Sequence, residues 1–132
     1  MSKLIQKEKI LSQIKDGLIV SCQALESEPL YSSMIMSRMA LAAMQGGARG
    51  IRANTPVDIC AIRQTVELPV IGLTKKTFPG CSVYITPTEE EVDALHETGC
   101  EIIAMDATRR ERPNGETIDT LFPRLREKYP DQ

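Results

Sequence analysis

Short apolar runs alternate along the chain with segments of helical periodicity. The runs are centred on Val20, Ile51, Ile71 and Ile103, and by subtraction 31, 20 and 32 residues separate those centres. The first run, Leu18–Val20, contains β-branched residues and is typical of a strand covered on both faces. Strands and helices that alternate at this spacing predict parallel strands joined by right-handed crossovers.

The pattern predicts one leading helix followed by four strand–helix units. Strands are predicted at Leu18–Val20, Gly50–Ala53, Val70–Thr74 and Glu101–Asp106, and helices at Leu4–Ile14, Ser33–Gln45, Pro56–Val66, Glu89–His96 and Ile118–Tyr129. Thr55 and Thr88 are predicted helix N-caps, and Thr88 forms a capping box with Glu91. Gly17 is the predicted C′ residue of the leading helix.

Two segments are less regular than these elements. Val83–Thr86 is predicted to be a brief extended piece between the third strand and the next helix. Pro123 lies inside the last helical pattern, so either that helix begins near Thr120 or it is kinked.

Two parallel architectures fit this order of elements. The four units, taken as one domain over residues 1–132, form either an open doubly wound sheet or half of an eight-stranded (β/α)₈ barrel. The length favours the second, because a complete barrel has ~250 residues and a fifth strand is expected where the sequence stops, at Lys128–Gln132. The pattern of apolar residues alone leaves both open.

Composition and charge narrow the class of protein. Apolar residues make up 42% and charged residues 26% of the chain, as in soluble globular proteins. The net charge of −2 gives no basic footprint for nucleic acid or an anionic membrane. Residues 1–15 lack the continuous apolar region of a signal peptide, and no stretch approaches the ~20 apolar residues of a membrane span.

The four cysteines are widely spaced and form no CxxC pair. They are Cys22, Cys60, Cys81 and Cys100. Three of them lie beside or within apolar runs, which predicts buried thiols in a reducing cytosol, and hence a cytoplasmic protein. The spacing also disfavours a metal site.

Polar side chains stand at or just after the ends of the four apolar runs. They are Gln23, Arg52, Lys75 and Asp106. The carboxyl ends of parallel strands meet at one edge of a sheet or barrel, where ligands bind. Four such groups on successive strands therefore predict a polar site, although polar residues are also comfortable at solvated strand ends.

Lys75 is the strongest candidate for a catalytic residue. It emerges from the apolar strand Val70–Thr74, and burial there would disfavour the ammonium form and lower the pKa of the amine. A lysine tuned in this way acts as a proton acceptor or as a Schiff-base nucleophile. The adjacent Lys76 either assists by like-charge repulsion or is a solvated surface residue.

The other candidates each have a structural alternative. Arg52 offers a planar donor fork for a phosphate, carboxylate or sugar oxygen, or it pairs with Asp106 or Glu28. Gln23 and Thr86 could bind a ligand, or they could form hydrogen bonds within their own loops and stabilise them. Asp106 could orient a partner or cap the following turn at Thr108.

Several segments together resemble bacterial N-acetylmannosamine-6-phosphate 2-epimerases in order and spacing. They are Leu18–Leu25, Gly50–Asn54, Leu68–Lys76, Tyr84–Thr88 and Ile103–Thr108. The most specific are the segment IVSCQ and the strand end IG-x-x-K, which closes with Lys75. The resemblance implies a TIM barrel that interconverts N-acetylmannosamine 6-phosphate and N-acetylglucosamine 6-phosphate in sialic acid catabolism, without metal or cofactor. It also implies that Lys75 is the catalytic lysine and that Gln23 and Arg52 contact substrate; Thr86 and Asp106 lie on matching motifs.

The chain departs from this family in two ways. Thr74 stands where the family more often has an aliphatic residue, and the half that carries a catalytic glutamate and glycine-rich phosphate loops is absent. We therefore expect little activity from these 132 residues alone. Two unpaired sheet edges would invite association, including a homodimer.

Other functions remain in competition at this point. One is a non-catalytic half-barrel that dimerises or binds a sugar phosphate, and another is a different sugar-phosphate barrel enzyme. The Arg109–Arg112 run is either a solvated loop or a phosphate clamp. A flavodoxin-like receiver is disfavoured, because Ser21–Gln23 stands where a receiver needs acidic residues.

Overall fold

The computed structural model describes residues 3–132, in which helices and strands alternate. The order is α1 (Lys3–Ile14), β1 (Ile19–Cys22), α2 (Ser33–Gln45), β2 (Gly50–Asn54), α3 (Pro56–Thr65), β3 (Val70–Leu73), α4 (Glu89–Glu97), β4 (Ile102–Ile103) and α5 (Ile118–Lys128). The leading helix and the four strand–helix units predicted from the sequence are confirmed.

The four strands form one parallel sheet in the sequential order β1-β2-β3-β4. A doubly wound sheet reverses its strand order at a switch point, whereas a barrel adds each strand beside the last. The sequential order therefore decides between the two predicted architectures, and the fold is the N-terminal half of a (β/α)₈ barrel.

One face of the sheet is covered by helices and forms the main core. Cys22, Ala53 and Gly72 lie in one row across the strands, and the first two are fully buried. Gly72 leaves no room for a side chain, since a Cβ there would lie 2.8 Å from Ile59 Cδ1 and 2.9 Å from Cys100 Sγ. The helices thus pack directly against the strands and hold them in register.

A smaller apolar cluster joins α4 to α5. Val92, Leu121 and Leu125 are buried there, and Ile103 packs against both this cluster and the main core. The last helix is therefore anchored to the sheet through β4.

The opposite face of the sheet carries the row Ser21, Arg52, Ile71 and Ile102. Ser21 is exposed and the other three are only partly buried. In a closed barrel this face would line the interior.

Several predicted boundaries differ from the structure. β1 continues to Cys22, whereas β4 is paired only over Ile102–Ile103. The Ala104 N–H still donates to the Gly72 carbonyl of β3, but the Asp106 N–H donates to the Ile85 carbonyl instead. The predicted extended piece there forms a single antiparallel bridge, Lys75 with Ile85.

Two predicted helix signals were wrong in detail. The left-handed residue after α1 is Asp16, with φ 56°, and not Gly17. Gly17 is needed for space, since a Cβ there would lie 2.2 Å from Arg49 Cγ. Thr55 occupies the N-cap of α3, but it has φ 73° and its side chain makes no capping hydrogen bond.

The last helix begins at Ile118 and includes Pro123, so the predicted start near Thr120 is wrong. The missing proline N–H leaves the Asp119 carbonyl without its helical donor. Both residues are exposed, so water can satisfy that carbonyl. None of the helices within residues 3–132 has the length and apolar character needed to cross a membrane.

Candidate functional site

The backbone around Lys75 is held from two sides at the carboxyl end of β3. The Lys75 N–H donates to Asn54 Oδ1 at 2.9 Å, and Lys75 forms the antiparallel bridge with Ile85. The next amide, of Lys76, donates to the Tyr84 carbonyl at 3.0 Å. These contacts fix the backbone of Lys75 and Lys76 against the edge of the sheet.

The two adjacent lysines have different surroundings. Lys76 Nζ lies 3.2 Å from the buried Glu91 carboxylate and 5.0 Å from the centre of the Phe78 ring. Lys75 is partly buried, and within residues 3–132 its amine has no ion pair or hydrogen bond. Of the two, only Lys75 keeps an amine free for a substrate.

Thr86 bridges the ends of β3 and β4 and is 0% exposed. Its hydroxyl accepts from the Thr74 N–H at 3.2 Å and donates to the Ala104 carbonyl at 2.6 Å. Its own N–H donates to the Thr74 carbonyl at 2.7 Å, and its φ is 48°. Because the hydroxyl is occupied by backbone groups, this geometry is that of a structural bridge and leaves no group of Thr86 facing a ligand.

Arg52 lies in the middle of β2, so its predicted position at a strand end is wrong. β2 continues two residues further because Asn54 pairs with Leu73. The Arg52 side chain is in the row of the uncovered face, and it makes no ion pair with Asp106, Glu28 or any other described residue. The guanidinium is therefore available on the face that a barrel would enclose.

Gln23 follows β1 directly and lies beside the same face. Its Nε2 donates to Ser21 Oγ at 2.9 Å, and Ser21 is in register with Arg52. The other amide atom, Oε1, is buried without a partner. A buried acceptor of this kind carries a free-energy cost until a donor reaches it, which is consistent with a site that takes a hydrogen-bonding ligand.

Asp106 is held against the Thr86 bridge and caps its own turn. Its N–H donates to the Ile85 carbonyl at 2.9 Å, and its carboxylate accepts from the Thr108 N–H at 2.7 Å. Hydrogen bonding to Thr108, and then the charges of Arg112 and Arg110, hold the pKa of Asp106 below its usual range. Asp106 is therefore an anion at neutral pH.

Arg112 belongs to the run for which the sequence allowed a solvated loop or a phosphate clamp, and it is 2% exposed, so the first alternative is wrong for this residue. Its Nη2 donates to the Asp106 carbonyl, whereas its Nε and Nη1 are buried without a partner. Residue type does not distinguish a buried arginine from a solvated one, so this burial could not be predicted from the sequence.

The structure brings the predicted residues together in two groups. Lys75, Thr86 and Asp106 are joined through residues 84–86. Gln23 is hydrogen-bonded to Ser21, which is in register with Arg52 on the neighbouring strand. Asn54 was missed by the sequence reasoning. The available signal was an amide at the end of a buried strand, since a buried polar group needs a partner.

Comparison with known proteins agrees with the fold. The family model described as "Putative N-acetylmannosamine-6-phosphate epimerase" matches residues 36–132. A curated relative from Enterobacter sp. (strain 638) is 58% identical over 121 residues, which cover 92% of this chain and 52% of the relative. One from Listeria monocytogenes serotype 4b is 54% identical over 122 residues, covering 92% and 53% respectively. Both relatives are named "Putative N-acetylmannosamine-6-phosphate 2-epimerase".

A solved structure, that of the N-acetylmannosamine-6-phosphate 2-epimerase from Clostridium perfringens, is 51% identical and superposes with a TM-score of 0.85. The match covers 90% of this chain and 52% of that one. The chain thus spans about half the length of the relatives that it matches. Because sequence identity, family model and half-barrel topology agree, the chain belongs to the N-acetylmannosamine-6-phosphate epimerase family.

Proposed function

We propose that this chain supplies half of an epimerase barrel that interconverts N-acetylmannosamine 6-phosphate and N-acetylglucosamine 6-phosphate. The reaction inverts C2 of a phosphorylated amino sugar, and we place it in sialic acid catabolism in the cytoplasm. The four free cysteines support a reducing compartment. The observation that carries the proposal is the Lys75 amine, which has no partner among residues 3–132 although its backbone is held on both sides.

Each candidate residue has a role in this reaction. In the open-chain sugar the C2 proton lies next to an aldehyde, so its removal leaves an enolate that must be stabilised. Lys75 takes the proton from C2 and becomes an ammonium. The Arg52 guanidinium faces the developing oxyanion. A general acid on the second half of the barrel then donates a proton to the opposite face of C2, which gives the epimer, and Lys75 returns its own proton to solvent.

The remaining groups position the substrate. Gln23 has a buried acceptor without a donor, which suits a sugar hydroxyl or the N-acetyl N–H. The ionised Asp106 accepts a hydrogen bond from a substrate hydroxyl while it orders its own turn. Thr86 acts through its bridge to Thr74 and holds the strand end from which Lys75 extends.

The proposal requires a closed barrel. The outer edges of β1 and β4 are unpaired within residues 3–132, and the β4 edge adjoins a groove of about 330 Å³ lined by apolar residues such as Ile102, Met105 and Phe122. A second half-barrel would pair both edges and enclose the Arg52 face. We propose that this completion, and not the 132-residue chain alone, creates the active site.

The second candidate is a homodimer in which another copy of this chain covers the same edges. The exposed row on the sheet and the two open edges favour it over a stable monomer. Such a dimer would be a sugar-phosphate-binding half-barrel without the residues of the second half.

One experiment separates the two candidates. The 132-residue chain and a complete barrel that contains it are each incubated with N-acetylmannosamine 6-phosphate, and product formation is followed by NMR. We expect turnover by the complete barrel and at least 100-fold less by the chain alone, because the open site lacks half its groups. Sedimentation of the chain measures dimer formation in the same samples, and inactivity of the complete barrel would refute the proposed reaction.

A further inference from the structure

Asn54 is a buried amide that connects β2 directly to the Lys75 backbone. The residue is 4% exposed, and its Oδ1 accepts the Lys75 N–H at 2.9 Å. β3 ends at Leu73, so the sheet itself no longer supplies an acceptor for Lys75 on this side. The side chain of Asn54 replaces the missing strand carbonyl.

The donor in this contact determines how the amide is oriented. A backbone N–H can only donate, so the amide oxygen must face Lys75 and the NH₂ must point away from it. Nδ2 has no hydrogen-bond partner among the described residues and is not one of their buried, unpartnered atoms. Asn54 shares the uncovered face of the sheet with Arg52, since the two are two positions apart on one strand.

The backbone after Asn54 is arranged to keep the amide in place. Thr55 has φ 73°, a left-handed conformation that is strained for a β-branched residue. Its N–H donates to the Leu73 carbonyl at 2.9 Å. The chain thus turns sharply after Asn54 while remaining bonded to β3, which holds the Asn54 side chain over the Lys75 amide.

We infer that Asn54 is a positioning residue for the Lys75 amine, an inference that rests on the proposed function of Lys75. A general base must lie within hydrogen-bond reach of the proton that it removes, and displacement by about 1 Å can cost about 100-fold in rate. Without the Asn54 acceptor the Lys75 amide loses the hydrogen bond that ties it to β2. The strand end then shifts, and the amine moves with it.

The test compares three variants in the complete barrel. Asn54→Ala removes the acceptor, whereas Asn54→Asp keeps an oxygen at the same distance and is the conservative rescue. Glu101→Ala is the matched control, because Glu101 Oε2 accepts the Val70 N–H at 2.8 Å and so clamps the opposite end of the same strand. Steady-state kinetics give kcat and KM, and amide hydrogen exchange reports on the Lys75 N–H.

We expect Asn54→Ala to lower kcat about 30-fold or more while KM changes less than about threefold, since proton transfer and not substrate binding is disturbed. Exchange of the Lys75 amide should accelerate at least about tenfold. Asn54→Asp should keep that amide protected and retain kcat within about fivefold. Glu101→Ala should leave both the kcat and the Lys75 exchange rate close to those of the wild type.

The outcomes that contradict the inference are distinct from failure of the proposed function. If the wild-type barrel is active and Asn54→Ala has wild-type kcat, or if Glu101→Ala loses as much kcat, Asn54 does not position Lys75. An Asn54→Ala variant with wild-type kcat and fast Lys75 exchange also overturns it, because loss of the contact would then leave catalysis unchanged. A wild-type barrel without epimerase activity removes the proposed function, and this inference falls with it.

Discussion

Thr74 carries a buried hydroxyl without a hydrogen-bond partner, directly before the candidate catalytic lysine. A buried hydroxyl left unsatisfied costs about 1–3 kcal/mol. The same residue supplies its backbone N–H and carbonyl to Thr86, so its position is determined by the main chain and not by the hydroxyl. The side chain is therefore dispensable for the local structure.

Replacing Thr74 by valine should stabilise the protein. Thr74→Val removes the unsatisfied oxygen with little change of shape, and we expect the free energy of unfolding to rise by about 1 kcal/mol. Thr98→Val is the control, because the Thr98 hydroxyl donates to the Leu95 carbonyl at 2.6 Å and its loss should lower stability by a similar amount. Denaturant unfolding measures both, and a destabilised Thr74→Val variant would show that the hydroxyl has a partner.

Single residues also mark how far the sequence could predict the site. Lys75, Asp106 and Gln23 could be placed because strand ends follow from the apolar runs. The role of Thr86 could not, because its two acceptor and donor contacts come from Thr74 and Ala104, which are distant in sequence. The type of a residue does not predict whether its side chain bonds to a backbone group on another element.

At the scale of the elements, α4 and α5 are joined by a polar contact beside their shared apolar cluster. The Asp93 carboxylate accepts from Tyr129 Oη at 2.5 Å and from Lys128 Nζ at 3.0 Å. Partial burial acts to raise the pKa of Asp93, but these hydrogen bonds and the Lys128 charge outweigh it and hold the pKa below its usual value. The ionised carboxylate is therefore favoured in the folded state.

This contact predicts a dependence of stability on acid pH. Because the folded pKa of Asp93 is depressed, its contribution is present above the unfolded value of ~3.9 and is lost as pH falls through the folded pKa. Asp93→Asn should be less stable than the wild type at pH 7, and the difference should shrink below about pH 4.

Thermal unfolding at pH 7, 5 and 3 measures this difference. Glu97→Gln is the matched control, since Glu97 is an exposed carboxylate on the same helix without a partner among the described residues. It should behave like the wild type at each pH. A stability difference for Asp93→Asn that does not depend on pH would show that the carboxylate is not the group responsible.

The elements were predictable to different degrees. Helix periodicity and glycine stops located α2 and α4, because their signals are local. β4 was predicted over six residues and is paired over two, since strand length depends on what the neighbouring strand and the loop at residues 84–86 offer as partners. Pro123 lies inside α5 at an exposed position, where water can replace the missing helical donor, and periodicity does not reveal this.

At the scale of the whole molecule, strand order was the feature that the sequence left open. Alternation of strands and helices predicts parallel pairing, but an open sheet and a barrel share that alternation. The strand order is β1-β2-β3-β4, with helices on one face of the sheet and Arg52 on the other. This arrangement is that of a half-barrel and not of an open doubly wound sheet. The relatives, about twice as long, agree with a site completed by a second half.

The most direct test of the account is exchange of the substrate C2 hydrogen with solvent in the complete barrel. N-acetylmannosamine 6-phosphate is incubated in deuterium oxide with the wild type, Lys75→Met and Lys76→Met, and loss of the C2 proton signal is followed by NMR. We expect Lys75→Met to slow exchange about 1,000-fold or more, because the base that removes the proton is gone. With Lys76→Met, exchange of the C2 hydrogen should stay within about fivefold of the wild-type rate. A wild-type exchange rate with Lys75→Met would show that Lys75 does not remove this proton.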